Sequence, residues 1–287
     1  MLVCMKFLVV AHLNGKYLFV GAKILSVYRG LKFTGTLLKI LLLSAFVNVA
    51  NAQGSKVPFS NINYIDPTIG NVGQLLLPTR PTVQLPNQLI RFTPQRADFL
   101  DDQISTFPLT VVSHRQGQVF SLKPAIGEIT SKSWTAKMTY DHDLEINKPW
   151  FYSTYLVDDE VKVDFSAGKK TGFYRFSFPD VKGKAILFGV YNGGKSSFDF
   201  LSATEISGME TYRGDIKTYM YGVFSVPGTP GVVTKDKLLP ERSIEGEAVK
   251  AYISFPASTR EVEFKYAVSY LSPEQAKRNY EKELSKT

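Results

Sequence analysis

The stretch VKVDFSAGKKTGFYRFSFP, residues 161–179, determines the fold class of this chain. Its apolar residues fall at every second position on both sides of the central AGKK: Val161, Val163, Phe165, Tyr174, Phe176 and Phe178. A period of two is that of a half-buried strand, because successive side chains point to opposite faces of a sheet. Ala167 and Gly168 carry the turn signal between the two runs. The stretch therefore predicts two short strands separated by a turn.

Strand patterns of two kinds continue outside this stretch. EVEFKYAV, residues 261–268, alternates strictly, whereas AILFGVY, residues 185–191, is nearly all apolar and is typical of a strand covered on both faces. Turn signals follow at residues 179–180, 192–194 and 227–231. The chain is therefore predicted to be all-β, an antiparallel β-sandwich of two sheets.

One helix is predicted, at the C-terminal end of the chain. Ser272 is placed to cap it, Pro273 suits its first turn, and Gln275 completes a capping-box pattern. Ala276, Tyr280 and Leu284 then fall on one apolar stripe.

Residues 1–52 have the composition of a targeting segment. They contain six Lys or Arg and no Asp or Glu, and end in an apolar run at residues 40–49 followed by Ala50 and Ala52. This order is typical of a secretory signal, and a run of about ten residues is too short to span a membrane. We predict cleavage after Ala52, export to the periplasm or the extracellular space, and no membrane span afterwards. Residues 1–30 are interpreted as an over-extended start.

Charge and cysteine content exclude several classes of protein. The formal charge of +8 falls to +2 when residues 1–52, with six of the 34 cations and none of the 26 anions, are removed. Nucleic acid is therefore not an expected partner, because phosphate binding requires clustered excess cations. One cysteine and three histidines allow no disulfide framework and no Cys-based zinc site, so no metal site is predicted.

Three segments carry a resemblance to a known family. They are NYIDPTIG at residues 63–70, YDHDLEINKPWFYSTYLVDDEVKVDFSAGKKTGFYRFSFP at residues 140–179 and YAVSYLSPEQAKRNYEKEL at residues 266–284. In this order they are similar to the N-terminal domain of glycoside hydrolase family 92, the calcium-dependent exo-α-mannosidases. The resemblance extends over nearly all of residues 53–287.

The resemblance implies a supersandwich fold like that of galactose mutarotase for residues 53–287. In the family, a following (α/α)6 barrel supplies the catalytic acid, the base and the calcium ligands, and none of that barrel lies in this sequence. The resemblance thus implies no catalytic residue and no cofactor within this chain, calcium for a full-length member, and the barrel as a partner in cis or in trans.

Acidic runs are candidates for catalytic groups, because an inverting glycosidase needs two carboxyl groups roughly 6.5–9.5 Å apart. The candidates are Asp101, Asp102, Asp141, Asp143, Glu145, Asp158, Asp159 and Glu160. Such runs are more typical of solvated turns, because neighbouring side chains in a strand diverge. His142 is interpreted as a structural hydrogen-bonding residue, and Arg175 as one partner of a surface ion pair.

Five residues are predicted to contact carbohydrate. The family's glycine-rich loop faces the sugar pocket. Here GNVGQLLLPTRPTVQLP, residues 70–86, keeps Gly73 but has no histidine, so Gln74 and Arg80 are the expected donors to sugar hydroxyls. His114 lies near a second histidine-bearing stretch of the family, and Trp150 offers a face for ring stacking, with core or interface packing as its alternative.

These observations predict the N-terminal domain of an exported family 92 type α-mannosidase. Its expected partners are a mannose-containing glycan, one wall of whose pocket it forms, and the catalytic barrel. A free-standing, non-catalytic glycan-binding module is the alternative. A complete small hydrolase that uses Asp141 and Asp143 is a third interpretation.

Overall fold

The computed structural model describes residues 9–13, 16–20, 61–69, 80–97, 100–112 and 117–284. The chain divides into two compact units, residues 1–59 and residues 60–287. In the first unit, β1 (Val9–Leu13) pairs antiparallel with β2 (Lys16–Val20). The apolar run at residues 40–49 and the predicted cleavage site after Ala52 lie outside the described residues.

The second unit is built almost wholly from strands. They are β3 (Gln103–Ile104), β4 (Phe107–Val111), β5 (Gln118–Ile126), β6 (Met138–Thr139), β7 (Ile146–Lys148), β8 (Phe151–Leu156), β9 (Val161–Ala167), β10 (Thr171–Ser177), β11 (Lys184–Gly189), β12 (Ser196–Phe200), β13 (Glu205–Tyr212), β14 (Ile216–Phe224), β15 (Thr229–Thr234), β16 (Lys237–Leu239), β17 (Ser243–Gly246), β18 (Lys250–Phe255) and β19 (Glu261–Ser269). Three short 3₁₀ helices, Asn61–Tyr64, Ser131–Trp134 and His142–Leu144, and one α-helix, α1 (Pro273–Leu284), complete it.

Two antiparallel sheets form the sandwich. The larger has nine strands in the order β17-β12-β13-β14-β19-β10-β9-β8-β7, and the smaller has six in the order β16-β15-β18-β11-β5-β4. In the larger sheet Phe165 lies opposite Tyr174, and Val163 opposite Phe176. The alternation in residues 161–179 therefore marks an antiparallel pair, and the predicted all-β sandwich is confirmed.

An aromatic core fills the space between the sheets. Phe188 of β11 packs against Phe264 of β19 and Phe198 of β12, with ring centroids 5.5 and 5.8 Å apart. The hydroxyl groups of Tyr174 and Tyr266 donate to the carbonyls of Pro108 and Leu109 in β4, across the sandwich. These bonds satisfy hydroxyl groups that would otherwise be buried without a partner.

Strand β11 is buried on both faces, as predicted, although it ends at Gly189 and not at Tyr191. Its outer face lies near residues 131–136, where Trp134 donates from Nε1 to the Phe188 carbonyl at 2.8 Å. Lys123 donates from Nζ to the carbonyls of Ser133, at 3.0 Å, and Ala136. Burial lowers the pKa of Lys123 to about 8, against the opposing effect of Asp159.

Helix α1 packs on the outer face of the nine-stranded sheet. Ala276 is buried, and Tyr280 contacts Tyr221 edge-on with ring centroids 5.3 Å apart. Ser272 caps the helix as predicted, because its Oγ accepts from the Gln275 amide at 3.1 Å. The predicted capping box is wrong in its other half: the Gln275 side chain donates to Asn279 Oδ1 at 2.9 Å.

The predicted turn at residues 227–231 is also partly wrong. Strand β15 begins at Thr229, so Pro230 and Gly231 lie within it. Pro230 is tolerated because β16 pairs with β15 only from Val232 onwards, which leaves Pro230 with a strand neighbour on one side. None of the helices in the described ranges is long and apolar enough to cross a membrane.

Candidate functional site

The DPTIG segment forms a tight polar turn at one edge of the candidate site. Asp66 Oδ1 accepts hydrogen bonds from the amide of Thr68 at 2.8 Å and from its hydroxyl at 2.6 Å. These two bonds lower the pKa of Asp66, with Lys148 adding to the effect. The Asp66 carboxylate is therefore held ionised and in one orientation.

A cleft of about 680 Å³ opens beside this turn. It is lined by Asp66, Thr68, Leu100, His142, Glu145, Ile146, Asn147 and Lys148. Segments that are far apart in the sequence thus meet here: the DPTIG turn and the residues around His142 and Glu145. Both belong to segments that carry the family resemblance.

A buried ion pair lies at the cleft. Arg96 Nη1 donates to Glu145 Oε1 at 3.0 Å, and the two side chains are only 2% and 3% exposed. The Tyr152 hydroxyl donates to the same oxygen at 2.9 Å. Burial alone would lower the pKa of Arg96, but Glu145, Tyr152 and Tyr140 outweigh it, so this pKa lies above its usual value.

Tyr140 joins this ion pair to its surroundings. Its hydroxyl donates to the Asp101 carbonyl at 2.9 Å, accepts from Arg96 Nη1, and lies 3.1 Å from His142 Nε2. Burial raises the pKa of Tyr140 to about 12, although Arg96 opposes the shift. His142 thus hydrogen-bonds within a polar cluster, in agreement with its structural interpretation.

The structure describes two of the five residues predicted to contact carbohydrate, Arg80 and Trp150. Arg80 donates to the carbonyls of Arg96 at 2.8 Å and Ala97 at 2.9 Å, so it supports the segment that carries Arg96. Trp150 is half-buried in the β7–β8 turn, and neither residue lines the cleft. Gly73, Gln74 and His114 lie outside the described residues. Carbohydrate contact by these five residues stays a prediction.

Among the acidic candidates, Asp141, Asp158 and Glu160 lie in solvated turns, as interpreted. For Glu145 the interpretation is wrong, because its side chain is buried in the ion pair with Arg96. Asp141 is exposed and caps the 3₁₀ helix His142–Leu144, where it accepts from the Asp143 amide at 2.9 Å. Asp158 and Glu160 are exposed in the turn that follows β8. Arg175 pairs with Glu263 at 2.9 Å on the outer sheet face, which confirms the surface ion pair.

Sequence reasoning missed Asp66 and Arg96. Asp66 begins an Asp-Pro turn signal within the segment NYIDPTIG, and this signal could have identified it. Arg96 has no local signal, because its partner Glu145 lies 49 residues further along the chain.

The described residues do not fit a metal site. Among them, no group of three or more His, Cys, Asp or Glu side chains could hold an ion. We therefore assign no step of chemistry in this chain to calcium.

Exposed apolar side chains line the cleft or lie close in the sequence to its lining residues. Leu100 is 69% exposed and Ile146 is 46% exposed, and both line the cleft. Four more large apolar side chains are at least half exposed: Tyr64 and Ile65 before the DPTIG turn, Ile69 within it, and Leu144 before Glu145. We call these six residues the apolar rim.

The fold and the cleft place the chain among known proteins. Residues 64–269 match the glycosyl hydrolase family 92 N-terminal domain. The match takes in most of the chain, so the chain belongs to this family, and the resemblance found in its motifs is confirmed. No curated protein matches the chain.

Solved structures show the same fold. The inverting family GH92 mannosidase BT2199 from Bacteroides thetaiotaomicron VPI-5482 is similar with a TM-score of 0.71 and 22% identity, over 79% of this chain and 34% of that one. The family GH92 α-mannosidase BT3965 from Bacteroides thetaiotaomicron is similar with a TM-score of 0.69 and 22% identity, over 79% and 35%. The GH92 family glycosyl hydrolase ccman5 is similar with a TM-score of 0.68 and 20% identity, over 79% of this chain and 35% of that one. The chain thus spans about a third of the length of these proteins.

Proposed function

We propose that residues 53–287 form one wall of a mannoside pocket in a family 92 type α-mannosidase and pack against a helical catalytic domain. The observation that carries this proposal is the cleft in which the DPTIG turn meets His142 and Glu145. Two segments that identify the family thus converge on one concave surface, where ligand sites usually occur.

The apolar rim supports the packing part of the proposal. Ile69 and Leu100 are 76% and 69% exposed. Grouped exposed apolar residues rimmed by polar ones are typical of protein interaction surfaces. The proposed partner is an (α/α)6 catalytic domain, supplied in cis or in trans.

The chemistry of the cleft supports binding and not bond cleavage. Glu145 accepts hydrogen bonds from Arg96 and Tyr152, so it suits an acceptor and not the proton donor that a glycosidase needs. The catalytic acid, the base and the calcium ligands are proposed to come from the catalytic domain. We also propose that residues 1–52 direct export of the mature chain.

Two measurements on purified residues 53–287 test it. A hydrophobic dye should bind the apolar rim, and binding should fall in the double variant Ile69→Ser, Leu100→Ser. Calorimetric titration with mannose oligosaccharides should detect binding in the millimolar range, about −4 kcal/mol.

Each outcome has a definite meaning. A monomer that binds no dye contradicts the packing role. Tight mannoside binding without dye binding favours the free-standing glycan-binding module instead. Titration without any heat of binding removes the glycan-contact role from this chain.

A further inference from the structure

Glu145 combines deep burial with one uncommitted oxygen. Its side chain is 3% exposed, and its Oε1 accepts from both Arg96 and Tyr152. Within the described part of the chain, Oε2 accepts no hydrogen bond, although Glu145 lines the cleft. A buried carboxylate has about four acceptor sites in all, so the acceptor sites of Oε2 remain for an occupant of the cleft.

The neighbours of Glu145 hold its carboxylate through one oxygen only. Arg96 is itself buried and keeps the carboxylate paired through Oε1. Oε1 is thus engaged by two donors, and Oε2 is the carboxylate oxygen that remains for an occupant of the cleft.

The remaining lining residues indicate the chemistry of the ligand. Asp66 adds a second carboxylate, while Asn147 and Lys148 are the amide and cationic donors. Two carboxylates disfavour an anionic ligand, and too few acidic or histidine ligands are grouped here for a metal ion. A neutral polyol suits this set, because each hydroxyl both donates and accepts.

We infer that Glu145 binds a sugar hydroxyl through Oε2, as the residue by which this chain recognises a neutral glycan in the cleft. This inference rests on the proposed glycan-contact role and adds to it the group that makes the contact. Charge-assisted hydrogen bonds of this kind are stronger than those between neutral groups.

The test uses the full chain, labelled with ¹⁵N and titrated with methyl α-mannoside. The amide signals of residues 66–68 and 145–148 should shift together on binding. In Glu145→Gln, Oε1 still accepts from Arg96 and Tyr152, but an amide donor replaces Oε2. We expect about tenfold weaker binding with the fold retained. Glu245→Gln, at an exposed ion pair with Lys195, is the matched control and should bind as the wild type does.

A second measurement separates direct contact from an indirect effect. Among monodeoxy analogues of methyl α-mannoside, one should bind the wild type about tenfold more weakly, and this difference should vanish in Glu145→Gln. Equal binding by the wild type and Glu145→Gln overturns the inference and leaves the glycan-contact role standing. Wild-type protein that binds no mannoside overturns both. The same signal shifts with calcium chloride alone would identify a cation site and also overturn the inference.

Discussion

At the scale of single residues, a buried carboxylate stabilises the contact between the two sheets. Glu210 is fully buried in β13 and links the two sheets. Its Oε1 accepts from the amides of Tyr191 and Asn192 and from the Asn192 side chain, each at 2.7 Å, while Oε2 accepts from the Phe120 amide. Phe120 has a φ of +52°, a strained value for an aromatic residue. Glu210 thus stabilises an irregular point in β5.

We predict that Glu210→Gln lowers the free energy of unfolding by about 1–3 kcal/mol. The glutamine amide presents a donor where the carboxylate presents an acceptor, so at least one buried N–H loses its partner. Urea denaturation checks this. Glu245→Gln, at the exposed pair with Lys195, should change the free energy by less than about 0.5 kcal/mol. Equal stability of the two variants would show that Glu210 does not hold this junction.

At the scale of elements, the pairing of β10 with β19 shows how register depends on side-chain size. Gly172 lies opposite Tyr266, whose ring is fully buried and whose hydroxyl reaches Leu109 across the sandwich. A Cβ at residue 172 would lie 2.3 Å from the Tyr266 ring. Glycine at this position therefore makes room for the tyrosine that joins the sheets.

We predict that Gly172→Ala destabilises the protein by about 1–3 kcal/mol, because the Tyr266 ring must move from its packed position. Gly193→Ala is the matched control, since a Cβ there meets nothing within 4 Å. It should be neutral or slightly stabilising. Thermal or urea unfolding of both variants decides the matter. A Gly172→Ala variant as stable as Gly193→Ala would mean that the ring relaxes freely.

Element types followed well from the sequence, whereas details at their ends did not. Strands β9, β10 and β19 and helix α1 were all predicted from local periodicity. The errors at Pro230 and at the Gln275 half of the capping box have different causes. Pro230 is permitted by the position of β16, a neighbour in space that no local pattern contains. Gln275 instead bonds Asn279, four residues along the same helix, a local pair that competes with the capping box.

At the scale of the whole molecule, the chain divides into two compact units. The unit of residues 60–287 contains the whole β-sandwich and its core. The predicted cleavage after Ala52 falls in the other unit, seven residues before this boundary. Removal of residues 1–52 is therefore compatible with an intact sandwich.

We predict that the chain, expressed with its own N-terminus in a secreting bacterial host, is recovered outside the cytoplasm with Gln53 as its first residue. The small side chains of Ala50 and Ala52 suit signal cleavage, so Ala52→Leu should leave the precursor uncut. Intact-mass measurement distinguishes the two products. Full-length protein retained in the cytoplasm would contradict the export proposal.

The sequence by itself determined the fold class, the terminal helix and the family. These follow from periodicity, capping residues and short motifs, all of which act between residues close in the chain. The cleft was decided by the tertiary structure. Arg96 and Glu145 are 49 residues apart, and only the folded chain brings them, with Asp66, to one site. Burial then converts an ordinary surface residue type into a paired, oriented carboxylate, because a charge removed from water must find a partner.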